Sequence, residues 1–457
     1  MFHAQSRKQK IALFLSIMWP ILVTQVGYNA MNLFDTIMSG RAGTNDLAGV
    51  AIGSSLFMPA FVAMNGVLMA VTPIVSQLVG AGKSERIGPT VSQSLYLSTL
   101  ISAVVVLIGA LAVEPVLAAM HLEADVHRIA KEYLIALSFG IWPLFVSNVI
   151  RNFFDAQGHT KVTMAIIFVA VPFNIALNYV LIFGKLGFPR LGGVGAGYAT
   201  AATYWLILAV SVWLCFRLES MRVHRLFLAW PKPSWRAMKE QLSIGVPIGL
   251  SIFFEASIFS VVTLLMGAMF DTVTIASHQA AISFASMLFM MPLSISMALT
   301  ILVGFEVGAN RHAHAKQYGR IGVFAAVGII AVAAVALYFT RGTVAAWFTD
   351  DPVVAAMTAQ FLIFVIFFQL SDAAQASLQG VLRGYKDVTV PFVTALISYW
   401  VVGIPAGYAF ALTPLGPFGY WVGITLGLTC AAAGFSVRLR VIQRRIARSG
   451  STQRTME

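Results

Sequence analysis

Charge is what this chain has least of. Only 11% of its 457 residues are Asp, Glu, Lys or Arg, against about 25% in a soluble domain, while 58% are hydrophobic. That shortage excludes a large water-soluble core and indicates an all-α polytopic membrane protein. Cysteine is almost missing. Cys215 and Cys430 both lie in apolar runs without metal-ligand spacing, so they read as small buried hydrophobes rather than a disulfide or a metal site. Catalytic signatures are missing too: HExxH, GxSxG, a Walker A lysine loop, a GxGD pair and paired histidines in the spans. We therefore expect no enzyme and no cofactor, and any pumping must draw on an ion gradient. A cleavable signal peptide is not expected, because RKQK (7–10) leads into an apolar stretch too long for one.

What is present is a series of apolar runs, each long enough for a bilayer core about 30 Å thick. They fall at about 11–39, 47–79, 90–112, 129–150, 162–184, 194–216, 241–270, 275–304, 319–340, 353–380, 388–412 and 418–437. Twelve spans put both termini on one side. That side, with the loops facing it, collects 24 of the 30 Lys and Arg residues, so both termini are expected in the cytoplasm. The location expected is the plasma (inner) membrane of a prokaryote. The net charge of +12 is thus a topology signal and not a nucleic-acid signal. The basic tail 436–448 is expected against anionic lipid headgroups.

The chain also repeats itself. Pro20 and Gly40 match Pro247 and Gly267, and the triplets Val79-Gly80-Ala81 and Val307-Gly308-Ala309 match at nearly the same offset. Gly193 and Gly197 match Gly419 and Gly423, each pair a GxxxG that lets helices approach closely. Two six-helix repeats in the same orientation are expected to be related by an axis along the membrane normal. The division is 1–216 for the first lobe, 217–240 for a cytoplasmic linker carrying WPKPSW, and 241–457 for the second lobe with its tail.

Three acids stand inside the apolar runs: Asp35, Glu255 and Asp372. No Lys or Arg falls in the middle of any run, so no basic partner is expected within the membrane. A carboxylate there is costly unless paired. Each must be protonated or neutralised by a cation from outside. The surroundings are polar in a patterned way, with Gln25, Asn29, Asn32 and Thr36 on span 1, Asn174 and Asn178 on span 5, and Gln369, Gln375 and Gln379 around Asp372. Carboxylate and amide oxygens suit Na⁺ or protons. Phe253, Phe254, Phe259, Phe284, Phe289 and Phe368, with Met287, Met290 and Met291, offer a lining for flat hydrophobic cations. His278, near the outer end of span 8, reads as interfacial.

With these residues assembled, the chain resembles the multidrug and toxic compound extrusion (MATE) family, in its NorM-like branch. The likeness runs over nearly the whole chain. It is carried by Pro20, Gln25 and NLFDTIMSG (32–40), by QLVGAG (77–82), by PFNIALN (172–178), and by Glu255 with Asp372. It implies secondary antiport that exports small organic cations in exchange for Na⁺ or H⁺. It also implies an ion or proton site at Asp35, Asn174 and Asn178, and a cation (metal-ion) site at Glu255 and Asp372. Asp350, Asp351 and Gln279 would then receive drug, with Phe259 and Met287 in the lining, and the chain would act as a monomer. Two departures are visible: Asn178 stands where some branches carry a second acid, and Phe368 where a tyrosine is expected. The alternative is a lipid-linked oligosaccharide flippase of the same superfamily. Its anionic substrate calls for Arg or Lys in the cavity, and none is expected there. A cation channel is a further rival, which accumulation against a gradient would exclude.

Overall fold

The computed structural model describes residues 4–454, and every regular element among them is helical. We number the spans α1 (Arg7–Ala42), α2 (Thr44–Gly80), α3 (Ser84–Ala119), α4 (Ala124–Ser138 and Ile141–Ala156), α5 (Thr160–Phe183) and α6 (Gly193–Arg217). After the linker come α7 (Trp235–Met269), α8 (Thr272–Gly308), α9 (His312–Ala346), α10 (Pro352–Gly384), α11 (Thr389–Ala411) and α12 (Phe418–Arg454). Eleven are each long and apolar enough to cross a bilayer. The two pieces of α4, bent by 48°, make a twelfth when taken as one span. The twelve expected spans are therefore all helices, and most run beyond their apolar limits because polar residues continue the turn outside the hydrocarbon.

The breaks have local causes. In α2 the ladder turns at Met69 and Ala70, four residues before Pro73, whose ring displaces the carbonyl of Met69 and whose nitrogen carries no proton. In α4 the N–H of Gly140 turns back to the Leu137 carbonyl at 2.8 Å. A side chain at Gly140 would lie 2.7 Å from Ala201 Cα of α6. In α11 the seven residues Ile397–Gly403 take the wider π-helical turn just ahead of Pro405, and that turn buries Ser398 and Tyr399. Such widened turns recur where a helix must aim a side chain at a site.

The chain forms two compact units. One spans Trp19–Gly249. The other runs from Leu250 onward and includes the start of α1 up to Met18. These limits fall inside α1 and α7, one or two residues from Pro20 and Pro247, rather than at the hydrophilic linker. Within the first unit, Phe145, Phe153 and Phe154 are fully buried in one apolar cluster. The linker is fastened to that unit by Gln93, which donates to the Lys232 carbonyl and accepts from Ser234 N, both at 2.9 Å. In the second unit, Phe361, Tyr420, Trp421 and Phe435 are fully buried. There Lys10 of α1 is buried and donates to Gln317 of α9.

The glycine pairs act as the spacing implies. A Cβ at Gly197 would lie 2.8 Å from the Tyr133 carbonyl, and one at Gly423 only 2.3 Å from the backbone of Gly407. Main chains thus touch at both places. The same closeness brings α10 against α8, where Thr300 donates to the Gly380 carbonyl at 3.0 Å.

Candidate functional site

The second unit holds a cavity of about 410 Å³ lined from α7, α8, α10, α11 and α12. Apolar side chains, among them Phe259, Phe289 and Phe368, form most of its wall. The polar groups are few: Glu255 from α7, Ser286 and Ser296 from α8, Asp372, Gln379 and Arg383 from α10, and Tyr399 from α11. So the cavity joins two of the three membrane acids singled out in the sequence. Asp372 is 4% exposed, and its Oδ1 is buried without a hydrogen-bond partner. A carboxylate oxygen left this way costs several kcal/mol until something supplies a proton or a charge. Among the described residues no group of three or more His, Cys, Asp and Glu side chains could hold a metal ion. What the lining offers a cation is carboxylate, hydroxyl and amide oxygen, chemistry suited to Na⁺ or a proton and not to a transition metal.

Arg383 overturns one sequence expectation. It stands in the last turn of α10, where a helix end is expected to send a basic side chain outward. Instead it is 5% exposed, lines the cavity, and donates from Nη2 to Gln379 Oε1 at 2.9 Å. The spacing Asp372, Gln375, Gln379, Arg383 continues a single stripe at i, i+3, i+7 and i+11, and that was the signal available. A cation is therefore present in the cavity, but two acids to one Arg leave it net negative when both are ionised. Arg151 is also drawn into a span. Because α4 runs on to Ala156, Arg151 lies within it, its guanidinium 5.4 Å from the ring of Tyr28. Tyr28 is the position that the repeat aligns with Glu255.

Tyr399 answers the missing tyrosine on α10. Phe368 packs edge-on against Phe259 and Trp421, with ring centres 5.6 and 5.4 Å apart, and carries no oxygen. The hydroxyl comes instead from the π-helical turn of α11. Gln369 is absorbed by packing, donating to the Ala285 carbonyl at 2.7 Å.

The first unit holds the third acid. Asp35 is 5% exposed. Asn178 Nδ2 donates to its Oδ1 at 2.5 Å and Thr200 Oγ1 to its Oδ2 at 2.6 Å. Asn178 Nδ2 also reaches Asn174 Oδ1 at 3.2 Å, and Asn174 Nδ2 reaches Thr203 Oγ1 at 3.3 Å. The expected trio of Asp35, Asn174 and Asn178 is thus assembled, with Thr200 and Thr203 of α6 added. These threonines continue the small-residue face Gly193–Gly197 at helical spacing. The polar stripe of α1 does not share this site: Asn29, Asn32 and Thr36 are exposed, and Thr36 donates to its own Asn32 carbonyl.

The remaining candidates are scattered. Phe259 lines the cavity, but Met287 and Gln279 are outside its wall and exposed. Gln279 Nε2 approaches Thr263 Oγ1 at 3.5 Å. Asp351 caps α10, accepting from Val353 N at 2.9 Å, and Asp350 beside it is exposed. His278 is not interfacial. It is fully buried, accepts from Trp421 Nε1 at 3.1 Å and pairs with Thr263 at 3.1 Å.

Comparison with known proteins identifies the family of the chain. A family model described as MatE matches residues 20–180 and again 247–409. The two matches start 227 positions apart, which is the offset of the repeat. A probable multidrug resistance protein NorM from Halalkalibacterium halodurans is 54% identical over 446 residues, covering 97% of each chain. One of the same description from Bacillus subtilis is 50% identical, over 97% of this chain and 98% of its own. The crystal structure of a eukaryotic MATE transporter, AtDTX14, superposes with a TM-score of 0.87 over 97% of this chain and 99% of its own, at 21% identity.

Proposed function

We propose that this chain, which belongs to the MatE family of membrane transporters and is no enzyme, is a multidrug efflux antiporter. It exports small organic cations in exchange for Na⁺ or H⁺. The observation that carries this reading is the cavity of the second unit: two carboxylates, one with a buried unpartnered oxygen, inside a largely aromatic and aliphatic wall. Such a wall accepts flat hydrophobic cations of varied shape, and the acids supply the charge that selects cations over neutral molecules.

The coupling is a competition. A monovalent cation arriving at Glu255 and Asp372 neutralises a carboxylate, so a bound organic cation loses its counter-charge and leaves. Two positive charges cannot share the site as favourably as either alone, and that mutual weakening is the coupling free energy. Asp35 is a second place where a cation or proton is exchanged. Its two donors, Asn178 and Thr200, hold the ionised form between turnovers. Both termini face the cytoplasm of a prokaryotic cell, because 23 of the 30 basic residues, Arg383 of the cavity set aside, belong to the termini and loops assigned to that side. The chain works as a monomer.

The net negative cavity also weighs against an anionic lipid-linked substrate, Arg383 notwithstanding. The test is ethidium efflux from energised vesicles containing the purified protein, with a Na⁺ gradient and a pH gradient imposed separately. Efflux under one gradient, lost in Asp372→Asn, supports the proposal and names the ion. Efflux under neither removes it.

A further inference from the structure

The position of Arg383 deepens the antiport reading, on which it rests. We propose that Arg383 is the resident counter-charge of the cavity in the second unit. It offsets one of the two carboxylates that share the cavity, Glu255 and Asp372, and leaves one negative charge that a mobile monovalent cation must satisfy.

Several observations converge on this division. Arginine stays protonated and cannot be discharged by a change of pH. Arg383 has not turned out to water, being 5% exposed at the end of its helix. Its fork is steered inward by Gln379, one turn earlier on the same stripe, at 2.9 Å. Glu255 on α7 and Tyr399 on α11 line the same cavity as this guanidinium. Asp372 lies eleven residues earlier on α10, about 16 Å along the axis at 1.5 Å per residue. The oxygen left without a partner belongs to Asp372. One fixed cation against two acids therefore sets a fixed charge of one negative unit. A single Na⁺, a single proton or one monovalent drug each brings it to zero, and the second to arrive meets a neutral cavity. Mutual exclusion of ion and drug then follows from charge count as well as from space.

A purely structural role at the helix C-terminus, where basic side chains favour the dipole, makes a different prediction. Only the charge-count account predicts compensation. Removing Arg383 leaves two uncompensated acids, and removing Glu255 leaves none in excess. Removing both restores the original balance.

The experiment measures gradient-driven ethidium efflux from proteoliposomes with equal amounts of wild type, Arg383→Gln, Glu255→Gln and the double variant, each confirmed as monodisperse. Each single variant is expected to lose about tenfold or more, and the double to return to within about threefold of wild type, since charges that act as a pair are non-additive. A double variant no better than the worse single, beside an active wild type, overturns the inference alone. Absence of driven efflux in the wild type overturns the antiport reading and this inference with it. If Arg383→Gln alone does not fold, the double variant beside Glu255→Gln decides: efflux within about threefold of wild type supports the inference, and a double variant no better than Glu255→Gln contradicts it.

Discussion

Asn178 Nδ2 lies 2.5 Å from Asp35 Oδ1, although the two residues are 143 positions apart in the chain. With Thr200 Oγ1 at 2.6 Å on the other oxygen, the carboxylate has a donor on each oxygen and, among the described residues, no ion-pair partner. Hydrogen bonds to a charged group contribute about 1.5–3 kcal/mol each. That is enough to keep an ion-free carboxylate in place, and too little to replace a cation permanently.

Thr200→Val keeps the shape of the side chain and removes one donor. The ion-free form of Asp35 then loses stabilisation that the cation-bound or protonated form does not need. Export is expected to saturate at a coupling-cation concentration roughly tenfold lower, with a slower maximal rate because release of the cation becomes harder. A cation titration of efflux in reconstituted vesicles measures both. An unchanged half-saturation would show that Asp35 takes no part in cation exchange.

Tyr399→Phe removes the hydroxyl that the π-helical turn presents to the cavity. The expected outcome is a coupling-cation affinity lower by roughly threefold to tenfold, the worth of about one neutral hydrogen bond or ligand oxygen, with ethidium affinity little changed. Equilibrium binding of each ligand to the purified protein separates the two effects.

Two glycines predict opposite results for the same substitution. A Cβ at Gly423 meets Gly407 backbone at 2.3 Å, whereas one at Gly109 meets nothing within 4 Å. Gly423→Ala must part α11 from α12 and is expected to cost about 2 kcal/mol or more. Gly109→Ala gains helix propensity of about 0.8–1 kcal/mol. Thermal unfolding in one detergent should place the first variant below the wild type and the second at or above it.

Acid should loosen the first unit from its linker side. His224 sits between Gln157 Oε1 at 2.9 Å and the Ser84 carbonyl at 3.3 Å. Burial lowers its pKa below 6.5, partly opposed by the Ser84 carbonyl. His159 is lowered by burial as well. The unfolded chain therefore binds protons at a higher pH than the folded one does. Stability is full above about pH 6.5 and falls as the pH drops from there toward the folded values. Melting temperatures measured from pH 7.5 to 5.5 should decline, and His224→Gln should flatten part of that decline. A flat wild-type profile would contradict this.

The twelve spans and the two-fold repeat were legible because length and hydropathy need no knowledge of neighbours. The same is true of the choice of acids, since a carboxylate inside an apolar run is conspicuous whichever way it faces. Orientation about the helix axis was not legible. Asp35 lies within a quarter turn of Asn32 and Thr36 on α1, yet it is buried and they are exposed, because α5 and α6 cover one side only. Arg383 was hidden for a related reason: a long side chain at a helix end can turn inward or outward, and its acceptor Gln379 holds it toward the cavity. His278 read as interfacial by depth alone, while Trp421, 143 positions away, supplies the donor that buries it.

The central claim is that one mobile cation and one organic cation compete for the charge of Asp372. It is tested most directly by ethidium binding to the purified protein, followed by fluorescence at fixed pH and ionic strength, while the coupling cation replaces an inert one. The account predicts competitive displacement in the wild type, the apparent dissociation constant rising in proportion to cation concentration, and loss of that displacement in monodisperse Asp372→Asn. Displacement of equal strength in Asp372→Asn, or simultaneous binding of both cations without mutual weakening in the wild type, would contradict it.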